Sequence, residues 1–394
     1  MSTPQPKDDL LTAKTVLRPA SSAAVTQLAA SERTTTLPQV TWGNTGASLE
    51  PRSMARYETQ AVLGAGGMGE VLRAHDNDIG RSVAVKRLRP ELQNTEALAR
   101  FVEEVRTVGQ LEHPNIVPIH DAGVDDQGYY FVMKHLEGES LESIIGKLAS
   151  GDLAAHARWP FERRMEVFRK VLEALRYAHT KGVIHRDIKP ANILVGPMGE
   201  VFVLDWGIAR RERSAAPATG PAGVPASPSA SAALTQDGQV MGTPLYMSPE
   251  QARGETVDAR SDLYSLCMVL YEFLALKHPF EHRKSVVEVM HAVQELVPQL
   301  PSFIRSPYQS TVPMDLSWLV RKGIAKDPAQ RYQSADELVA RLNDRAEGKV
   351  PIQCHVTFTK RVSYEVMRQV YKSPLLFPLA MLAALGGTIY LVAR

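Results

Sequence analysis

The chain changes its periodicity once, and that single change limits what it can fold into. From Tyr57 the sequence runs in short strand-like pieces, "YETQAVLG", "EVLRAHD" and "SVAVKRL", broken by Gly, Asn and Asp turn residues, which predicts an antiparallel sheet. One helical stretch follows, "TEALARFVEEVRTVGQL", with Leu98, Phe101, Val105, Val108 and Leu111 spaced by three and four. After "YYFVMKHLEG" the pattern turns mostly helical, in "ERRMEVFRKVLEALRYAHTKG", "SDLYSLCMVLYEFLALKHPF" and "SADELVARLNDR". The expectation is an α+β chain: a β-rich lobe over residues 57–136 ahead of a larger helical lobe over residues 137–345. With 394 residues, 44% of them apolar, it can bury a core of that size.

Three segments depart from this texture. Residues 1–56 are rich in Ser, Thr, Ala and Pro and sustain no period, so they are expected to form a disordered N-terminal arm. Within it Thr34, Thr35 and Thr36 form either a phosphoacceptor patch or plain solvated linker. Residues 214–234, "SAAPATGPAGVPASPSASAAL", are low-complexity and read as a slack loop. Residues 374–393 contain no charge; as a helix they would extend about 30 Å, the hydrocarbon thickness of a bilayer. Lys360, Arg361, Arg368 and Lys372 precede them and Arg394 alone follows, so the bulk of the chain is expected on the cytoplasmic side of a single-pass span. The competing reading is a buried terminal helix, which Pro378, Gly386 and Gly387 disfavour in water more than in lipid. Residues 346–373 then read as a juxtamembrane linker.

Composition removes several function classes. The formal charge of 45 − 43 = +2 offers no basic stripe for nucleic acid. Two cysteines, Cys267 and Cys354, make neither a disulfide framework nor a metal-ligand pair, and Cys267 in "YSLCMVLYEFL" reads as a core thiol. The histidines include no HExxH, and the first residues lack the pattern of a signal peptide.

"LGAGGMGEV" holds Gly64, Gly66 and Gly69 in a GxGxxG spacing that lets backbone N–H groups approach phosphate oxygens. A dinucleotide-binding turn would start a helix at the third glycine, whereas here strand-like runs continue, so a β-hairpin lid fits better. Lys86 closes the apolar run "VAVK" and needs an anion, phosphate or carboxylate, beside its ammonium; a snorkelling lysine would be the preferred reading only without the glycine loop. In "VIHRDIKPANILVG" five residues that bind charge or protons, His185, Arg186, Asp187, Lys189 and Asn192, crowd an otherwise apolar run.

"HRDIKPAN" fits H-R-D-x-x-x-x-N, and with the glycine loop and "VAVK" the chain from about Tyr57 to Arg345 resembles the eukaryotic-like (Hanks-type) bacterial serine/threonine protein kinases that carry a membrane helix. The resemblance implies the two-lobed kinase fold. It implies ATP and Mg2+ as cofactors, with Mn2+ as a substitute, and transfer of the γ-phosphate to Ser or Thr hydroxyls of protein substrates. Asp187 then orients and deprotonates the hydroxyl, Lys189 stabilises the transferred group, and Asn192 and Asp205 hold metal. Leu63, Gly64, Gly66, Gly69, Val71, Lys86 and Met133 line the nucleotide site, and His185 is a brace. Lys86 needs a glutamate partner; Glu103 and Glu104 are both available, and family spacing to "HPNIV" favours Glu104. In "VFVLDWGIAR" Trp206 stands where the family has phenylalanine, which bears on loop flipping more than on chemistry.

The resemblance also implies a regulatory and structural set. Arg186 calls for an anion on the activation loop, with Thr235 as the candidate phosphoacceptor and Asp237 either a constant charge or an ordinary loop residue. Thr243 in "MGTPLYMSPE" goes with Ser/Thr specificity. Glu250 is expected to pair with Arg331, and Asp262 to anchor the large lobe. Partners expected are protein substrates, membrane lipid and a second copy for phosphorylation in trans. Two alternatives are a pseudokinase scaffold, against which the intact charged residues argue, and a small-molecule phosphotransferase, against which "GTPLYMSPE" argues.

Overall fold

The computed structural model describes residues 34–43, 46–51, 53–65, 69–89, 95–206, 210–211, 244–283, 285–349 and 351–372. Its first elements correct the reading of residues 1–56 as a disordered arm. Strands β1 (Gln39–Gly43) and β2 (Gly46–Glu50) pair antiparallel, with Val40 opposite Leu49 and Trp42 opposite Ala47. Five residues per strand are too few to display a sustained alternation, and the signal that remains is the pair of glycines bracketing the turn. The neighbouring backbone is also tied down: Thr35 N–H donates to the Met54 carbonyl (2.8 Å), and the N–H groups of Thr36 and Leu37 donate to Asp78 Oδ1 (2.8 and 3.0 Å). Residues 1–33 lie outside the described residues.

A five-stranded antiparallel sheet follows, built from β3 (Tyr57–Ala65), β4 (Gly69–Asp76), β5 (Arg81–Leu88), β6 (Ile119–Asp125) and β7 (Gly128–Lys134) in the order β3-β4-β5-β7-β6. Between β5 and β6 runs α1 (Thr95–Val108). Ala74, Val83, Val85, Tyr130 and Val132 form the core on one face; on the other, Leu88 and Phe131 pack against Phe101 of α1. This two-sided burial explains why β5 reads as a nearly continuous apolar run. Gly69 owes its identity to this sheet, since an added Cβ would lie 2.2 Å from the Arg87 carbonyl oxygen.

The larger lobe contains β8 (Glu139–Ser140), α2 (Leu141–Ala149), α3 (Leu153–Arg158), α4 (Phe161–Thr180), β9 (Val183–Ile184), β10 (Ile193–Val195), β11 (Val201–Val203), β12 (Arg210–Arg211), α5 (Pro249–Arg253), α6 (Ala259–Ala275), α7 (Val286–Glu295), α8 (Met314–Gly323), α9 (Ala335–Ala346) and α10 (His355–Lys372). Helix α6 is apolar on nearly every face and runs through the middle of the core, as a helix without a polar side must. Cys267 on α6 is fully buried, and burial pushes its thiol up to about 12.

The stretch expected as a juxtamembrane linker, residues 346–373, contains helix α10. Lys360 Nζ reaches the buried Asp315 Oδ1 of α8 at 2.8 Å, and Tyr364 lies against Gly348. The helix is fastened by a few polar contacts rather than an apolar seam, so no core stripe announces it. Among the described residues no helix is long and apolar enough to cross a membrane. Residues 374–393, read as a span, lie outside the described residues, as does the insert 214–234.

Candidate active site

The site forms where the two lobes meet, and the β10–β11 ladder sets its register. Ile193 pairs with Val203, and Leu204 N–H donates to the Asn192 carbonyl at 2.8 Å. Asn192, just before β10, and Asp205, just after β11, are therefore held side by side although thirteen positions apart.

Asp187 lies in the turn between β9 and β10. Lys189 Nζ donates to its Oδ2 at 2.7 Å and Asn192 Nδ2 donates to the same oxygen at 3.1 Å. Both donors act on one oxygen, which fixes the carboxylate's orientation and leaves Oδ1 for a hydroxyl from outside. Asn192 Nδ2 also donates to the Asp187 main-chain carbonyl (2.9 Å), so the amide nitrogen is committed and the side-chain oxygen is the atom left for a cation.

The turn itself is strained and held. Arg186 and Asp205 both adopt positive φ, 69° and 53°, in the left-handed region that side chains normally avoid. Asp262, fully buried at the start of α6, overcomes the cost at Arg186. Its Oδ2 accepts from His185 N–H (2.9 Å) and from His179 Nε2 (2.8 Å), and its Oδ1 accepts from Arg186 N–H (2.8 Å). Burial opposes the charge on Asp262, but His179 and the backbone donors outweigh it and hold the carboxyl below its usual range.

His185 joins this turn to Asp205. Asp187 N–H donates to Nδ1 (3.2 Å), which assigns the proton to Nε2, and Nε2 donates to the Leu204 carbonyl (2.9 Å). Trp206 packs behind, 4.5 Å centroid to centroid from His185, with its indole N–H donating to the Val203 carbonyl at 3.3 Å. The indole is buried, so the large side chain serves as core on the helical lobe.

From the opposite lobe β5 delivers Lys86. Its Nζ lies 2.6 Å from Glu104 Oε1 of α1 and 3.2 Å from Asp205 Oδ1. Glu104 is buried while its neighbour Glu103 faces outward. Burial favours the neutral amine at Lys86, yet the two carboxylates prevail and hold the ammonium above its ordinary range; burial raises Glu104 in turn, against the pull of Lys86. This trio spans both lobes and fixes their relative position.

The residues expected to line the nucleotide site lie on β3, β4 and β7 of the same sheet as Lys86. Leu63 on β3 is half exposed, Val71 on β4 half buried, and Met133 on β7 is opposite Ala84 of β5 and packs toward Phe101 and Phe131. A Cβ added at Gly64 would meet nothing, so the β3 end leaves an open approach. Gly66 lies outside the described residues, as do Thr235, Asp237 and Thr243.

The oxygen atoms of Asp205 and Asn192 suit a hard divalent cation that takes its remaining ligands from phosphates and water. Among the described residues no three His, Cys, Asp or Glu side chains converge into an all-protein metal cage. Magnesium held there would neutralise charge on the bound phosphates.

Below the site, Ser248 and Gln251 form a capping box on α5, and Gln251 Nε2 also donates to the Arg186 carbonyl at 2.8 Å. Sequence reasoning missed Gln251 and His179. The S-x-x-Q spacing of the cap was legible in "SPEQ", but the link from Gln251 to Arg186 crosses 65 positions and has no local signal. His179 reads as an ordinary residue near the end of α4.

A family model described as the protein kinase domain matches residues 57–341. The chain belongs to the protein kinase domain family. The kinase is 41% identical over 295 residues to a probable serine/threonine-protein kinase of Streptomyces coelicolor, covering 73% of this chain and 40% of that one. It is 35% identical over 298 residues to the serine/threonine-protein kinase PknD of Protochlamydia amoebophila, with 74% and 30% covered. A probable serine/threonine-protein kinase PknB of Bifidobacterium longum is 38% identical over 313 residues, with 75% and 40% covered. The kinase thus spans 30 to 40% of the length of these relatives.

Proposed function

We propose that this kinase transfers the γ-phosphate of ATP to Ser or Thr hydroxyls of proteins, with Mg2+ at Asp205 and Asn192. The observation that carries the reading is the joint arrangement of Lys86 on Glu104 and Asp205 with Asp187 oriented by Lys189 and Asn192. A bond forms between the substrate hydroxyl oxygen and the γ-phosphorus while the bond to the β–γ bridging oxygen breaks. The hydroxyl proton passes to Asp187 Oδ1, ADP leaves, and Lys189 offsets the negative charge on the moving group. Serine and threonine selectivity rests on Lys189, on Thr243 in "GTPLYMSPE" and on the names of the relatives. No residue favours the scaffold reading.

Membrane attachment through residues 374–393, with the lobes on the cytoplasmic side, belongs to the same proposal. Its support is the uncharged run and the basic residues before it. Tethered copies would phosphorylate one another on the activation loop, with Thr235 the acceptor and Arg186 its cationic partner. The test is incubation of the purified full chain with labelled ATP and Mg2+, followed by mapping of phosphorylated residues; a Lys86→Met variant that incorporates as much label as wild type would refute the assignment.

A further inference from the structure

Helix α10 leaves exposed what a helix in water normally hides. Val356, Phe358, Val362, Tyr364, Met367 and Tyr371 are all at least 42% exposed, six large apolar or aromatic side chains on eighteen residues. The preceding helix, α9, buries Ala335, Leu338 and Leu342 in the usual way. Among the described residues α10 is joined to the lobe through its first half: Thr357 is buried, Lys360 holds Asp315, Arg345 Nε holds the other Asp315 oxygen at 2.7 Å, and the Tyr364 ring lies against Gly348. Beyond Tyr364 the helix carries Met367 and Tyr371 into solvent, and along its length Arg361 and Arg368 stand against the single acidic Glu365, which lies 3.7 Å from Arg368. Two residues past its end the uncharged run 374–393 begins.

We infer that α10 lies along the surface of an anionic phospholipid bilayer, with Val356, Val362 and Met367, which share one half of the helix, in the headgroup–acyl boundary and Arg361 and Arg368 of the opposite half drawn to lipid phosphates. Amphipathic helices with mixed aliphatic and tyrosine faces and a basic excess partition in this way. The inference rests on the anchored reading in one respect, that the adjoining run brings α10 to the membrane. It adds that the contact of Lys360 and Arg345 with Asp315 fixes the helical lobe against the bilayer, so that the catalytic cleft faces membrane-proximal substrates at a set angle rather than swinging on a slack tether.

The test uses the full chain in a Cys354→Ser background, with an environment-sensitive fluorophore at Val362→Cys or, as a control, at the exposed Met198→Cys. It is reconstituted into phosphatidylcholine vesicles or mixed phosphatidylglycerol–phosphatidylcholine vesicles containing a lipid-borne quencher. Retained phosphate transfer reports folding, and alkaline extraction reports integration of 374–393 separately. The expected result is a blue shift at 362 with loss of most of its emission to the quencher in phosphatidylglycerol vesicles. Phosphatidylcholine should give much less quenching, position 198 none, and Arg361→Glu with Arg368→Glu should reverse the shift. A water-like signal at 362 in an alkali-resistant protein overturns the α10 inference and leaves the span standing. Quenching at 362 in a protein that alkali extracts upholds α10 and refutes the span. A blue shift that grows with protein concentration in detergent alone assigns the face to a second copy and overturns the proposal, as does equal quenching in both lipids.

Discussion

Arg331 and Glu250 meet through two parallel hydrogen bonds, 2.8 and 2.7 Å, with both side chains almost wholly withdrawn from water. Arg331 also donates to the Ala325 and Lys326 carbonyls, and Ser261 donates to Glu250 Oε1. Burial alone would raise Glu250, but the guanidinium and the hydroxyl outweigh it and lower the carboxyl to about 2. The pair pins α5, and through Gln251 the Arg186 carbonyl, to the interior of the helical lobe.

Breaking that pair from one side leaves an uncompensated charge. Glu250→Ala should destabilise the protein by roughly 3–5 kcal/mol, measured by denaturant unfolding, because Arg331 stays buried. A loss below 1 kcal/mol would show that Arg331 is satisfied by carbonyls alone.

The same carboxylate gives a pH dependence of known sign. Its folded value lies below the ordinary range near 4.5, so its contribution is fully present above pH 4.5 and is lost as pH falls toward 2. Unfolding free energy of wild type should drop more steeply through that window than that of Glu250→Gln, in parallel titrations at fixed ionic strength.

Asp262 accepts three donors with two oxygens, and an amide in its place offers a single accepting oxygen. Asp262→Asn should cost roughly 1–3 kcal/mol in stability and slow phosphate transfer more than it raises the KM for ATP, since the strained Arg186 turn loses its hold while the nucleotide-lining residues do not. Steady-state kinetics separate the two effects; a change confined to KM would contradict this role.

Glu104→Gln keeps the shape of the Lys86 partner and removes its charge. The lysine should then shift toward Asp205, lowering kcat/KM by about tenfold to a hundredfold through misplacement of groups on the phosphates. Glu103→Gln, on the outward side of α1, should leave kinetics unchanged.

Trp206→Phe removes the N–H donated to Val203 and part of the volume packed on His185. A loss of roughly 1–2 kcal/mol with phosphate transfer retained is expected. Loss of transfer at full stability would mean that the indole controls the position of Asp205 itself.

Much of the site was legible because its chemistry demands particular residue types at short spacing: Asp187, Lys189 and Asn192 within six positions, or Lys86 closing an apolar strand. Glu104 over Glu103 follows from family spacing to "HPNIV". What was not legible acts over distance or without a period. Gln251 and His179 show only ordinary local patterns and gain meaning from contacts 65 and 83 positions away. The β1–β2 hairpin is too short to alternate visibly, so its segment looks disordered in the sequence, and α10 is held by Asp315 rather than by an apolar seam, so its segment shows only as a linker.

The central claim is that the geometry around Asp187 and Asp205 performs phosphate transfer to Ser or Thr. The most direct measurement is phosphoamino-acid analysis of the full chain and a generic protein substrate after incubation with labelled ATP and Mg2+, beside Asp205→Asn. The account predicts phosphoserine or phosphothreonine with wild type and none with the variant. Nucleotide binding without any transfer by the wild-type chain, or label confined to tyrosine, would contradict it.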